Sequence, residues 1–487
     1  MRVGLMTREY PPYVYGGAGV HVEYLARELA KLIEVEVHAW GLEPQPRAPH
    51  IPNLEVLFDQ PWDAITHGTE AKFKGALEAL SLNLLQNLDL SQLDIIHTHT
   101  WYVAMAGFLA KKLYNIPFVL TTHSLEPLRA WKAEQLGTGY ALSSWMELTA
   151  IEAADAIVAV SNGTKADILK AYPTVDEAKI HVIYNGIDLN QYQYTSDTSA
   201  LTKYGVDTTR PYVLFVGRIT RQKGVTHLVD AIPHLPPGTQ VVLCAGAPDT
   251  PEIAAEMRAK VAALTNVDLS AAIAAAKEAD DAPEPAPGTQ PPAVTIASDE
   301  VNNPPGAAAA TGDPTGSGHN IVWIEQMVTK EEAIQLYSHC AVFCCPSVYE
   351  PFGIINLEAM ACGAPVVASA TGGILEVVID PTYIPSPLPS SSPIPFSSRS
   401  EAEGSASGTT SEATGHLVPF AADPTTNMPT DPARFSQDLA TKITALLANP
   451  ELAKAMGQAG RKRVEDHFSW TSIATQTHNL YKSLIEK

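Results

Sequence analysis

Short apolar runs alternate along this chain with longer stretches whose apolar positions recur at helical spacing. Val3 to Met6 reads as a strand, a Pro- and Gly-rich loop runs to Gly19, and Val22, Leu25, Ala26, Leu29 and Ile33 then mark one face of a helix. Strand-like runs at Glu34 to Trp40, Asp94 to His97, Phe118 to Thr121 and Ala156 to Val160 are again separated by helical stretches, the order that yields a parallel sheet covered on both faces. A second series opens at Tyr212 to Val216 and continues through Val241 to Cys244, Ile321 to Ile324, Ala341 to Cys345 and Pro365 to Ala368. The pattern predicts an α/β protein of two Rossmann-like, doubly wound domains, 1–205 and 206–469, able to enclose a cleft. A last helical segment, Trp470 to Ile485 within the tail 470–487, can pack on either domain, the first included. Two stretches break the alternation. Residues near 265–318 pass from an Ala-rich piece into Pro, Ala, Gly and Asp, and residues near 383–413 carry Pro-Ser repeats; with little to bury, both read as flexible surface insertions.

Length agrees with the division, because 487 residues exceed what one core usually supports. An apolar share of 45% and a charged share of 17% fit buried parallel sheets and exclude disorder of the whole chain. The net charge of −21 argues against nucleic-acid or anionic-membrane binding, since phosphate backbones are held by clustered Lys and Arg. The N-terminal apolar run is too short for a signal peptide, and no stretch is long and apolar enough to span a bilayer, so no stable membrane insertion and a cytoplasmic location are expected. Cys244, Cys340, Cys344, Cys345 and Cys362 lack paired metal-ligand spacing and read as buried free thiols.

The most informative stretch runs from Ser347 to Val367, where a strand ends in a loop bearing Glu350 and a helix begins near Gly353. The first backbone N–H groups of that helix, at Gly353, Ile354 and Ile355, would point at a ligand entering the carboxyl edge of the sheet, and a diphosphate fits there. Glu358 would sit inside the helix, so one glutamate can meet a sugar and the other a ribose. For two isolated glutamates, a capping acid and a solvated helix face would be the plainer reading. Arg218 and Lys223 follow the first strand of the second series and are placed to neutralise two phosphates, as a planar fork and a point charge. Gly16 and Gly17 allow close backbone approach to a ligand before the first helix.

These residues resemble the signatures of retaining glycosyltransferases with the GT-B fold: an E-x7-E motif at Glu350 and Glu358, a G-R-x4-K-G pattern from Gly217 to Gly224, and a Gly-rich loop at Gly16-Gly17. Tyr13-Val14-Tyr15 replaces the Lys-x of the family 5 loop, which moves the likeness to family 4. Within family 4 the segments Thr7–Pro12, His97–Tyr102, Gly217–Gly224 and Cys244–Glu252 most resemble the actinobacterial-type glycogen synthases and the α-maltose-1-phosphate synthases. The resemblance implies glucose transfer from ADP-glucose, or UDP-glucose, to an α-1,4-glucan end or to glucose 1-phosphate, with no cofactor beyond the donor. It implies catalytic roles for Glu350, His123, Arg218 and Lys223, with Gly16, Gly17, Gly353, Ile354, Ile355 and Glu358 on the donor. No metal is assigned: His97 and His99 have H-x-H spacing, but no carboxylate or cysteine set accompanies them. Asn185 reads as part of a turn, Arg221 as an uncertain phosphate contact, and Gly372-Gly373 as a backbone segment near the cleft. A same-fold transferase with another acceptor, resembling sucrose-phosphate synthase or acting on lipid or small molecules, remains an alternative. So do a catalytically silent carbohydrate- or nucleotide-binding protein and a nucleotide-sugar epimerase. Oligomeric state leaves no mark in the sequence.

Overall fold

The computed structural model describes the chain except residues 15, 43, 45–49, 69–70, 130–138, 266–319, 327, 384–411, 425 and 487. Almost all of both insertions therefore lies outside the described residues. Two all-parallel sheets carry the structure. The first has the order β3-β2-β1-β4-β5-β6-β7 and the second β10-β9-β8-β11-β12-β13. In the first, β1 is Arg2–Met6, β2 Glu34–Trp40, β3 Leu54–Asp59, β4 Ile95–His99, β5 Phe118–Thr122, β6 Ala156–Ala159 and β7 Ile180–Val182. In the second, β8 is Tyr212–Arg218, β9 Gln240–Gly246, β10 Asn320–Ile324, β11 Val342–Cys345, β12 Val366–Ser369 and β13 Gly415–Val418.

The inner strands β1, β5, β8, β9 and β12 are buried on both faces, which is why they read as apolar runs, whereas β2 and β3 towards one edge of the first sheet alternate with Glu34, Glu36 and Glu55. Along β1, Val3 and Leu5 join a cluster with Val35, Val37 and the helix Gly17–Leu29, while Met6 joins the opposite cluster with Ile96, Phe118 and Leu120. The second sheet divides the same way, with Leu214 and Phe343 on one face and Val213 and Val342 on the other. Strand order reverses beside β1, where β4 is its other neighbour, and beside β8, where β11 is. At such reversals the loops leaving the carboxyl ends diverge and open a crevice, the usual place for a ligand in this architecture.

The helix Trp470–Ile485 packs on the first sheet's side. Trp470 stacks on Tyr24 with centroids 5.7 Å apart, and Tyr481, fully buried, belongs to the Val3–Leu5 cluster. The chain thus passes between the halves twice, and the two passages touch where the Ile187 N–H donates to the Phe468 carbonyl at 2.9 Å. Strands β3, β7 and β13 were not marked by the pattern. β3 is an edge strand with charged residues at Glu55 and Asp59, while β7 and β13 are three and four residues long. The first helix ends at Leu29, and Ile33 packs from the turn that leads into β2.

Candidate active site

A cavity of about 380 Å³ opens between the two carboxyl edges. It is lined by Gly16, Gly17, His123, Arg218, Lys223, Glu350, Gly353, Ile354, Ile355 and Glu358, so these residues, picked out from sequence, meet there. One wall comes from each sheet.

On the second sheet's wall, charges are paired. Glu350, only 6% exposed, accepts from Lys223 Nζ at 2.7 Å and from Ser347 Oγ at 3.1 Å. Burial pulls the Lys223 pKa down, but the Glu350 carboxylate outweighs it and the net shift is upward, so the ammonium stays charged. Arg218 donates to Asp249 Oδ1 at 2.7 Å. The loops are locked to each other: Gly224 has φ 62°, and a Cβ there would lie 2.1 Å from the Pro346 carbonyl oxygen. Val348 N–H donates to the Gln222 carbonyl. Gly353, at φ 94°, turns the chain into the helix Ile354–Ala361, whose start has no capping side chain. That leaves its first N–H groups for a ligand. Inside this helix Glu358 accepts from Tyr192 and Tyr337, each at 3.0 Å, and burial raises its pKa against those hydrogen bonds.

Behind the first sheet's wall lies a cluster of histidine rings, of which His123 lines the cavity. His123 follows β5, and its Nε2 lies 3.2 Å from His99 Nδ1. His21 Nδ1 lies 2.6 Å from Asn185 Oδ1, and His97 bridges Tyr481 Oη and Thr121 Oγ1, both at 2.6 Å. Burial lowers all four pKa values, His21 to about 4 and His97 to about 3, so the rings are uncharged at neutral pH. His99 Nε2 is buried without a partner. A buried bare nitrogen is better tolerated there than an unpaired buried N–H, which puts the His99 proton on Nδ1. His123 Nε2 then accepts, and its Nδ1 carries a proton on the cavity side.

His21, His99 and His123 each bring one nitrogen within 4.8 Å of the others. The H-x-H pair is split, because His97 turns away to Tyr481. Hydrogen bonds to Asn185 and between His99 and His123 already account for the arrangement, and no carboxylate or thiol joins it among the described residues.

Three readings change with the structure. Asn185 is more than a turn residue: it lines the cavity and holds His21. Gly372-Gly373 does not line the cavity; Gly373 N–H donates to the Glu350 carbonyl at 2.9 Å and supports that loop from behind. Arg221 pairs with Glu256 at 3.5 Å, away from the cavity. The sequence reading missed Arg8, Thr100, Trp101, Tyr102 and Arg129 as cavity residues, and Asp249, Tyr192 and Tyr337 as partners of Arg218 and Glu358. Thr100 has φ 73° and ψ 165°, a conformation rare for a β-branched residue that costs on the order of 1–3 kcal/mol and persists where the surroundings impose it.

With this geometry in hand, the comparisons are consistent. The description "Glycosyltransferase Family 4" matches residues 15–191, and "Glycosyl transferases group 1" matches residues 314–382. The chain is 40% identical to alpha-maltose-1-phosphate synthase of Mycolicibacterium smegmatis over 489 residues, covering 99% of this chain and 100% of that one. The synthase of the same name from Mycobacterium tuberculosis is also 40% identical over 488 residues. Among solved structures, sucrose-phosphate synthase from Thermosynechococcus elongatus superposes with TM-score 0.67 at 22% identity, covering 100% of this chain and 99% of that one. The catalytic domain of starch synthase IV from Arabidopsis thaliana, bound to ADP and acarbose, superposes with TM-score 0.62 at 17% identity, covering 100% and 99%. These likenesses show the GT-B fold.

Proposed function

The chain belongs to the family 4 glycosyltransferases, in the group of the alpha-maltose-1-phosphate synthases, and from that premise we propose that it transfers glucose from ADP-glucose to glucose 1-phosphate, with retention, giving α-maltose 1-phosphate and ADP. The observation that carries the choice of acceptor is the correspondence with the two synthases along the full length of both chains.

The residues support a consistent chemistry. The donor diphosphate lies at the start of the helix Ile354–Ala361 between Arg218 and Lys223, whose positive charges stabilise the charge that grows as the glucosyl C1–O bond to phosphate breaks. Lys223 has three N–H donors and can hold Glu350 and a phosphate oxygen together. Glu350 faces the sugar and stabilises positive charge on the ring. The acceptor hydroxyl attacks C1 from the face the diphosphate leaves, and its proton passes to a leaving phosphate oxygen. His123 offers its Nδ1–H to a donor-sugar hydroxyl, Glu358 the ribose-side carboxylate, and the Gly16-Gly17 loop a close backbone approach; a Cβ at Gly17 would lie 3.6 Å from Ile354 Cδ1. No cofactor beyond the nucleotide sugar is needed in this scheme. Among the described residues no helix is long and apolar enough to cross a membrane. The five cysteines, all free and buried, fit a cytosolic enzyme.

The test offers ADP-glucose and UDP-glucose, each with glucose 1-phosphate and with glycogen, and reads nucleoside diphosphate release and the sugar product. Maltose 1-phosphate made from ADP-glucose is the expected result. Label entering glycogen with none in a disaccharide phosphate would replace the proposal by glucan elongation.

A further inference from the structure

The cavity holds a second pair of cations, Arg8 and Arg129, on the wall opposite Arg218 and Lys223. Arg8 lies just beyond β1, and Thr100 just beyond β4, so the two stand side by side at the strand-order reversal of the first sheet. The Arg8 guanidinium is held between aromatic faces, 4.3 Å from the Tyr102 ring centroid and 4.7 Å from that of Trp40. Among the described residues it makes no ion pair or hydrogen bond; Glu78 feels its charge without pairing with it. Stacking fixes the plane of the guanidinium and leaves its edge N–H groups for a ligand.

A second feature points the same way. The 14-residue helix Trp101–Tyr114 starts on this wall, and Thr100 at its N-cap makes no capping hydrogen bond. Thr100 Oγ1 and Trp101 Nε1 are buried without partners, and Trp101 is 4% exposed. Arg129 lines the same wall, tied to Ser124 and Glu126, with its Nε buried and unpartnered. A helix start without a capping side chain, with the unpartnered Trp101 Nε1 beside a preoriented guanidinium, is complementary to a dianion.

We propose that Arg8, the start of the helix Trp101–Tyr114 and Arg129 form a subsite for the phosphate of the acceptor, across the cavity from the donor diphosphate. This rests on the reading of glucose 1-phosphate as acceptor and deepens it: a neutral glucan end has nothing to place in this corner. Arg8 is then the residue that selects a sugar phosphate over an uncharged sugar.

Kinetics of the full chain test it, with glucose 1-phosphate varied at saturating ADP-glucose for wild type, Arg8→Ala and Arg8→Lys, and with ADP-glucose varied in turn. Loss of a charge-assisted, bidentate contact should raise the KM for glucose 1-phosphate about 10- to 100-fold in Arg8→Ala and less in Arg8→Lys, with the KM for ADP-glucose moving less than threefold. In wild type, inorganic phosphate should inhibit competitively with glucose 1-phosphate, and Arg8→Ala should lose that inhibition. An unchanged acceptor KM, an equal rise in both KM values, or phosphate inhibition competitive only with ADP-glucose would each overturn the subsite. Wild-type protein that ignores glucose 1-phosphate would instead remove the reading on which the subsite rests, a distinguishable result.

Discussion

The two walls of the cleft solve the same problem in opposite ways. On the second sheet's wall each of the two cavity cations has a carboxylate already in place, Lys223 with Glu350 and Arg218 with Asp249. On the first sheet's wall His123 is neutral, Arg129 has Glu126 at 3.5 Å, and the cation Arg8 is instead held by aromatic faces. A paired cation is positioned before the ligand arrives, but a phosphate must share or displace the carboxylate. A stacked cation keeps its orienting contact when the ligand binds. The first arrangement suits a diphosphate whose charge grows during reaction; the second suits a group that is recognised and left unchanged.

The contrast can be broken most severely at Lys223. If Lys223 stabilises the leaving diphosphate as proposed, Lys223→Ala, which also leaves Glu350 buried without its partner, should lower kcat about 10²- to 10³-fold. Turnover near wild type would show that the paired wall is structural. His99→Ala should cost about tenfold in kcat, because His123 loses the contact that fixes its proton on Nδ1. A His99→Asn protein that restores much of the rate would support that reading; a loss appearing only in thermal stability would refute it. Smaller still is the effect expected for Asp249→Asn: Arg218, released from its ion pair, should bind ADP-glucose a few-fold more tightly, read as a lower donor KM.

The smallest effect is on stability. His21, His97, His99 and His123 have lowered pKa values in the folded protein, so the unfolded chain binds more protons once pH drops below about 6.5. Their contribution is present above that pH and is lost as pH falls through about 4 for His21 and about 3 for His97. Melting temperature should decline over this window, and replacing His97 by Gln should flatten the decline. Lys223 carries the opposite sign: its raised pKa favours the fold until strongly alkaline pH.

Much of this was legible in the sequence where function imposes a rigid local pattern. Glu350 and Glu358 are fixed to one loop and one helix, and Arg218 and Lys223 to one strand end, so spacing together with the family resemblance put them on one cavity. The long parallel strands announced themselves by continuous burial. What escaped was set by tertiary placement. Arg8 looks like any charged residue after a strand until β4 is seen beside β1 with Tyr102 and Trp40 around it. Asn185 reads as a turn because its partner, His21, lies 164 positions earlier in the chain. β13 is four residues long and follows a polar segment, leaving no periodicity to read.

The placement of the last helix also bears on how the protein is made. Trp470, Ile473 and Tyr481 are part of the core that Val3 and Leu5 begin. On the ribosome, the N-terminal half therefore cannot complete its own interior until almost the whole polypeptide has emerged. Domains that fold in order of synthesis are the general habit; here the first to be translated is the last to close, and a chain stopped before residue 470 leaves that interior open.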